Sequence, residues 1–403
     1  MQVKRIESLL INCLFCAIFF FWDIQYGYFR VEVLVIIFFL FLFNKKKLFF
    51  ETIKSVKFSY FFLLHLLLIN YILNQPIVFE SYIKIIYLFI LEMIIIKYHD
   101  HLSKNLNSVI FIFFTIFIFY TYFFLFDPLI NCLGCFNLYN KFFLENSHLN
   151  MISTAVVLYS FFYLIEHKDF KYSFFFLFFL IILFYNFSVT FFFGLVLTLF
   201  FLVIFLKKIN KFKILYSFLF LILVFIIFNP KFRNEIVKRV IPGNLKEIIF
   251  TYIDKDKNIE NKIKYNLSKY DFNLSTEVYL KNIITCYEIL KNNPFGVGLD
   301  NFKSYTLNEI FLFRHNNTKN LNNEDGSQNF SKGLSEFGFF YFYIFFLLFK
   351  FVRNSSINLD VKLFFISILI LQTFVRGAGY FNGAYLFSII FLFHHMKSKK
   401  TIK

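Results

Sequence analysis

The sequence predicts an all-α, polytopic integral membrane protein of about twelve transmembrane helices with one large, partly helical external loop. Three observations carry that expectation. The chain is 59% hydrophobic with a mean hydropathy of +0.64. Its apolar residues come in runs long enough to cross about 30 Å of hydrocarbon as helix, parted by short lysine-rich breaks. Its cations are sorted to one side of those runs. The 71 Phe residues, beside abundant Lys, Asn and Ile, read as generic lipid-facing and packing residues.

The expected spans lie at 8–25, 28–43, 58–74, 78–96, 107–126, 151–165, 172–186, 189–206, 214–229, 337–352, 361–375 and 383–395. The first is retained and is not a signal peptide, because "CLFCAIFFFW" runs on without a small-residue cleavage site. Between the seventh and eighth spans only Tyr185-Asn186-Phe187-Ser188 interrupts the apolar run. With the amino terminus in the cytoplasm, the short cytoplasmic segments hold 22 Lys and Arg and the short external ones hold three, Arg30, Lys141 and Arg376. The positive-inside rule reads short loops in this way. The net charge of +17 is then a topology signal, and no nucleic-acid partner is called for.

The chain divides into residues 1–229 with nine spans, a large external loop at 230–336, and residues 337–403 with three spans and a cytoplasmic tail. The loop holds 16 Lys and Arg and, with Glu336 left out, 12 Asp and Glu, the mixed composition of a folded segment. Inside it "STEVYLKNIITCYEIL" repeats its apolar residues at helical spacing, with Thr276 as the expected N-cap. Pro294 ends that helix, and Gly296 and Gly298 supply a permissive backbone for a tight turn before Phe302.

Candidate chemistry is sparse. Cys13 and Cys16 lie within a span and read as small apolar residues. Cys132 and Cys135 lie in an external loop, where a disulfide is allowed, but neither a thioredoxin-like context nor further zinc ligands accompany them. His99, His101, His394 and His395 sit at cytoplasmic edges, where solvated surface is the default. Glu80, Lys84 and Glu92 are charges inside a span. The spacing predicts a Glu80–Lys84 pair on one helix face and a Glu92 that reaches the cytoplasmic interface. Arginine is rarer than lysine here, yet Arg233, Arg239, Arg314 and Arg376 all fall on the external side. The planar guanidinium fork grips phosphate or carboxylate through two parallel hydrogen bonds. Arg376, followed by Gly377, Gly379 and Gly383, is placed to meet a lipid diphosphate at headgroup depth or to mark a helix end.

A many-span chain with a large late external loop that carries "NNPFGVGLDNF", then "GSQNFSKGLSEFGFFYFYIFF" leading into a span, resembles the O-antigen ligase and polymerase superfamily. Ser327-Gln328-Asn329 through Glu336 and Gly338 is similar to the family's His-Asn segment leading to Glu-x-Gly. "RGAGYF" at 376–381 looks like the late motif of the Wzy-type polymerases. Gln328 stands where the ligases carry a histidine, which favours a polymerase over a ligase. The loop helix lacks the family's arginine near its start, Lys281 being the nearest cation.

The resemblance implies a GT-C-like architecture in the bacterial inner membrane, with both termini cytoplasmic and the loop periplasmic. It implies a metal-independent glycosyltransferase without cofactor. The substrates would be undecaprenyl-diphosphate-linked oligosaccharide repeat units, and the partners membrane lipids and a chain-length regulator. In that reading Arg376, with Arg239 or Arg314, steadies the leaving diphosphate. Gln328, Asn329, Gly296 and Gly298 line the diphosphate or glycan site. Glu336 and then Asp300 are the candidate bases for the acceptor hydroxyl, and Glu336 has the equal alternative of anchoring the start of the tenth span. The rival readings are an O-antigen ligase, an oligosaccharide transferase acting on protein, and a transporter or flippase of the lipid-linked unit. Transporters usually carry repeated halves and broken midplane helices; here the halves differ and no Pro lies deep in a span.

Overall fold

A chain with long Leu, Ile and Phe runs and little Pro or Gly has few ways to satisfy its backbone except as helix. The computed structural model describes residues 2–20, 31–42, 52–73, 79–126, 155–156, 159, 163, 274–305, 328–343, 345–346, 350, 359–375, 377, 379 and 383–398. Over these the fold is predominantly helical, and no strand occurs among the described residues. The helices are α1 (Gln2–Phe20), α2 (Val31–Leu42), α3 (Phe58–Leu73), α4 (Phe79–Phe126), α5 (Leu274–Asn292), α6 (Asn329–Phe337), α7 (Leu359–Ile370) and α8 (Gly383–Ser398). Short 3-10 turns follow at Phe302–Tyr305 and Gly338–Tyr341, and a π turn at Leu371–Val375. The expected spans at 172–186, 189–206 and 214–229, most of that at 151–165, Arg30, Cys132, Cys135, Arg233, Arg239, Arg314, Arg376 and the side chains of Glu80 and His395 lie outside what is described.

Among the described residues no helix is both long and apolar enough to cross a membrane. As bounded, α2 has 12 residues and α3 has 16, while the first half of α4 carries Glu80, Lys84, Glu92 and Lys97. The break expected at 97–105 is a kink where two helical stretches meet: non-helical backbone stands at Tyr98 (φ -113) and Asn105 (φ -116), although "KYHDHLSKN" holds neither Pro nor Gly. There Asn105 Nδ2 donates to His101 O at 2.9 Å and Ser103 Oγ to Asp100 O at 3.0 Å, side-chain bonds that compete with the helical ladder.

The core is built by α4, which packs against α1, α2, α3 and α8, with α7 against α8. Phe15 and Phe19 of α1 meet Phe387 of α8 at 5.3 and 4.8 Å between ring centroids, and Phe19 meets Phe364 of α7 edge-on at 5.6 Å. Such aromatic pairs each contribute roughly 0.5–1.5 kcal/mol beyond area burial.

At one end of this core Glu92 is wholly buried and does not reach an interface. Its carboxylate accepts the backbone N–H groups of Lys57, Phe58 and Ser59 at 3.1, 2.9 and 2.7 Å and the Ser59 hydroxyl at 2.6 Å. It therefore caps α3, whose first amides lack helical partners. His394 Nε2 of α8 stands 2.5 Å from the same carboxylate. The neighbouring histidines are not solvated surface either: His99 stacks on Phe391 at 4.4 Å, and His101 Nε2 lies 3.0 Å from Asn12 Oδ1.

Candidate functional site

The site grows from α5 and α6, which pack together, with α6 resting in turn on the π turn. Helix α5 begins at Leu274, so Thr276 lies within its first turn and not at the N-cap expected from its sequence. It ends at Asn292, two residues before Pro294. The chain then turns back, and Gly296 N donates to Asn293 O at 2.9 Å.

That turn is stitched to the end of α6 by backbone hydrogen bonds. Val297 N donates to Ser335 O at 2.9 Å, Gly298 N to Glu336 O at 3.0 Å, and Phe339 N to Pro294 O at 3.2 Å. Gly296 (φ 91) and Gly298 (φ 87) both adopt the left-handed region. A β-carbon on Gly296 would lie 2.3 Å from Glu336 O, so the two segments cross at a distance only glycine permits.

Asp300 closes the turn at φ 60, in the same region without a glycine's freedom. Its amide donates to Glu336 Oε2 at 3.0 Å, and that of Phe302 donates to Glu336 Oε1 at 3.3 Å. The Asp300 carboxylate meets Lys84 Nζ at 2.6 Å and Lys332 Nζ at 3.8 Å, and accepts the Ser81 hydroxyl at 3.1 Å. Asp300 keeps 15% of its side chain exposed and Lys84 34%, whereas Glu336 is fully buried. Burial pushes the Glu336 carboxyl up to about 7; Lys332 opposes the rise, the Asp300 charge adds to it, and the two amides oppose it again. A carboxyl that changes charge near neutrality is suited to proton transfer.

The other side of α6 meets the third motif. A β-carbon on Gly377 would lie 2.4 Å from Asn329 Oδ1, so the backbone just beyond Arg376 rests on the Asn329 side chain. Tyr279 of α5 donates its hydroxyl to Phe374 O in the π turn at 2.8 Å. Gln328 precedes α6 without a side-chain cap bond. Its Nε2, and both side-chain amide atoms of Asn329, are buried without a hydrogen-bond partner among the described residues. Buried, unpaired polar atoms cost about 1–3 kcal/mol each, so these amide groups call for partners beyond the described side chains. Lys281 of α5 is buried, and desolvation lowers the proton affinity of its ammonium.

The structure thus gathers Asp300, Glu336, Gln328, Asn329, Gly296 and Gly298 around one nine-residue helix. Arg239, Arg314 and Arg376 are not described, though Gly377 puts the neighbour of Arg376 against Asn329. Sequence reasoning missed Ser81 and the partner of Lys84. Lys332, four residues before Glu336, was within reach of helical spacing. Among the described residues no group of three or more His, Cys, Asp or Glu is placed to hold a metal ion. In comparisons with known proteins, no family model, no curated protein and no solved structure matches this chain.

Proposed function

We propose that the chain is a membrane glycosyltransferase of the O-antigen polymerase kind, which transfers a growing glycan from polyprenyl diphosphate onto a new lipid-linked repeat unit at the periplasmic face. The observation that carries the reading is the convergence on α6 of three motifs far apart in sequence. The 293–300 turn is bonded to Ser335 and Glu336, and Gly377 rests on Asn329.

The membrane setting has its own support. Sides assigned from charge alone pair up in space. Ser81 and Lys84, near the external end of the fourth expected span, share one cluster with Asp300 and Glu336 of the external loop. Lys57, Glu92 and His394, all assigned at the cytoplasmic end, share another. Large apolar side chains such as Leu40, Leu64, Tyr71 and Ile86 stand exposed on α2, α3 and α4, a pattern that suits hydrocarbon better than water.

In the reaction, the acceptor hydroxyl oxygen bonds to the anomeric carbon as that carbon's bond to the diphosphate oxygen breaks. The polyprenyl diphosphate departs with the electron pair. The hydroxyl proton passes to the Asp300 and Glu336 carboxyl pair, with Asp300 on the side open to solvent. Positive charge from Arg376 steadies the departing diphosphate.

The test is a surface-polysaccharide gel on lipopolysaccharide from a clean deletion strain complemented with wild type. Core carrying a single repeat identifies the polymerase. Bare core with accumulated lipid-linked polymer identifies a ligase, and an unchanged ladder removes both.

A further inference from the structure

Lys84 belongs to α4, in the amino-terminal part of the chain, yet its ammonium ends at Asp300 of the loop turn. Ser81, one helical turn earlier, holds the other Asp300 oxygen at 3.1 Å, so α4 engages the whole carboxylate. Behind Asp300, Lys332 reaches the same oxygen as Lys84 at 3.8 Å. Glu336, one turn further along α6, is bonded to the Asp300 amide. Charges therefore alternate from the solvent inward: Lys84, Asp300, Lys332, Glu336.

We infer that Lys84 is a positioning residue for the buried Glu336: by neutralising Asp300 across the contact between α4 and the loop turn, it decides how firmly Glu336 holds its proton. This rests on the reading above in which the carboxyl pair takes the acceptor's proton. Asp300 raises the proton affinity of Glu336 and Lys332 lowers it, so the degree to which Lys84 cancels the Asp300 charge is felt inside. Lys281 and Cys286 on α5, His65 on α3, whose ring lies 5.8 Å from that of Phe337, and Tyr341 in the following 3-10 turn are further buried titratable groups on the described elements packed against α6; the π turn carries none. A lysine that only fastened the turn would act differently. Its loss would withdraw the Asp300 and Phe302 amides from Glu336, and so would loss of Asp300 itself.

The experiment is an infrared pH titration of the full-length protein in lipid nanodiscs, following the Glu336 carboxyl stretch, identified as the band absent from Glu336→Gln. Lys84→Met is expected to raise the midpoint by about one pH unit, tenfold in the acid constant. Asp300→Asn should lower it, the double variant should return close to wild type, and Lys84→Arg should leave it in place. An unmoved midpoint in Lys84→Met, or a rise in Asp300→Asn, overturns the inference. Polymer formation against pH is measured in parallel in proteoliposomes supplied with polyprenyl-diphosphate-linked repeat units. If the midpoints move as stated and the rates do not follow them, the charge coupling stands and the catalytic reading of the carboxyl pair falls.

Discussion

The amide of Asp300 donates to the buried carboxylate of Glu336 across 3.0 Å, and with the backbone bonds beside it this contact ties a glycine-rich turn to the end of a helix that begins 29 residues later in the chain. It gives Glu336 an anchoring role whatever its chemistry, since the Phe302 amide donates to the same carboxylate.

Glu336→Gln keeps the shape and removes the titration. If the carboxyl transfers a proton, polymer formation should fall by at least about 100-fold, the low end of general acid–base contributions; an in vitro polymerisation assay at pH 7 reads this. The same variant alters stability in a stated direction. A carboxyl raised from 4.5 to about 7 on folding binds more protons folded than unfolded. Its contribution is therefore intact below about pH 4.5, is lost progressively as pH rises to about 7, and is flat above. Thermal unfolding of wild type should show that decline between pH 5 and 7, and Glu336→Gln should flatten it.

The glycines separate two causes of strain. Gly296→Ala meets both a left-handed backbone (φ 91) and Glu336 O at 2.3 Å from the new β-carbon. Gly379→Ala meets a similar φ of 93 with nothing within 4 Å among the described residues. The second should cost about 1–2 kcal/mol, and the first at least a further 1–3 kcal/mol from overpacking against backbone. Denaturation midpoints of the two purified variants, compared side by side, decide this.

Glu92 anchors the opposite end of the core, and its loss should harm folding but leave chemistry alone. Glu92→Ala strands the buried amides of Phe58 and Ser59 and the part-buried one of Lys57, at about 1–3 kcal/mol for each buried group left unsatisfied. Membrane abundance should drop sharply while activity per molecule of surviving protein holds. A fall in specific activity at normal abundance would tie Glu92 to the reaction instead.

Arg376→Ala should abolish polymer with the protein retained in the membrane, and Arg376→Lys should recover little because the bidentate fork is gone. Immunoblot and polysaccharide gel on the same cells give both readouts, and full polymer from either variant takes Arg376 out of the site.

Much of the local structure was legible in the chain. Pro294 marked the end of α5, and Gly296 and Gly298 marked positive φ, because a ring-locked φ and a missing β-carbon act within a residue or two of themselves. Helix was legible from long apolar runs without Pro or Gly. The break at 97–105 was legible as a change of composition and appears as the kink at Tyr98 and Asn105, whereas the same local logic missed the start of α5.

Pairing was not legible. The spacing of Glu80 and Lys84 suggested a contact within one helix, and nothing in it pointed to Asp300, more than half the chain away, which the Lys84 ammonium meets. Glu92 carries charge enough to favour an interface, yet the start of α3 offers it the amides of Lys57, Phe58 and Ser59. The sequence by itself determined where helices form, where they turn and which charges and motifs the chain carries, since these follow from the covalent nature of neighbouring residues. Only the tertiary structure decided that the turn at 293–300, the helix bearing Glu336 and the backbone at Gly377 share one place, because a carboxylate selects its partners by distance and burial and not by order along the chain.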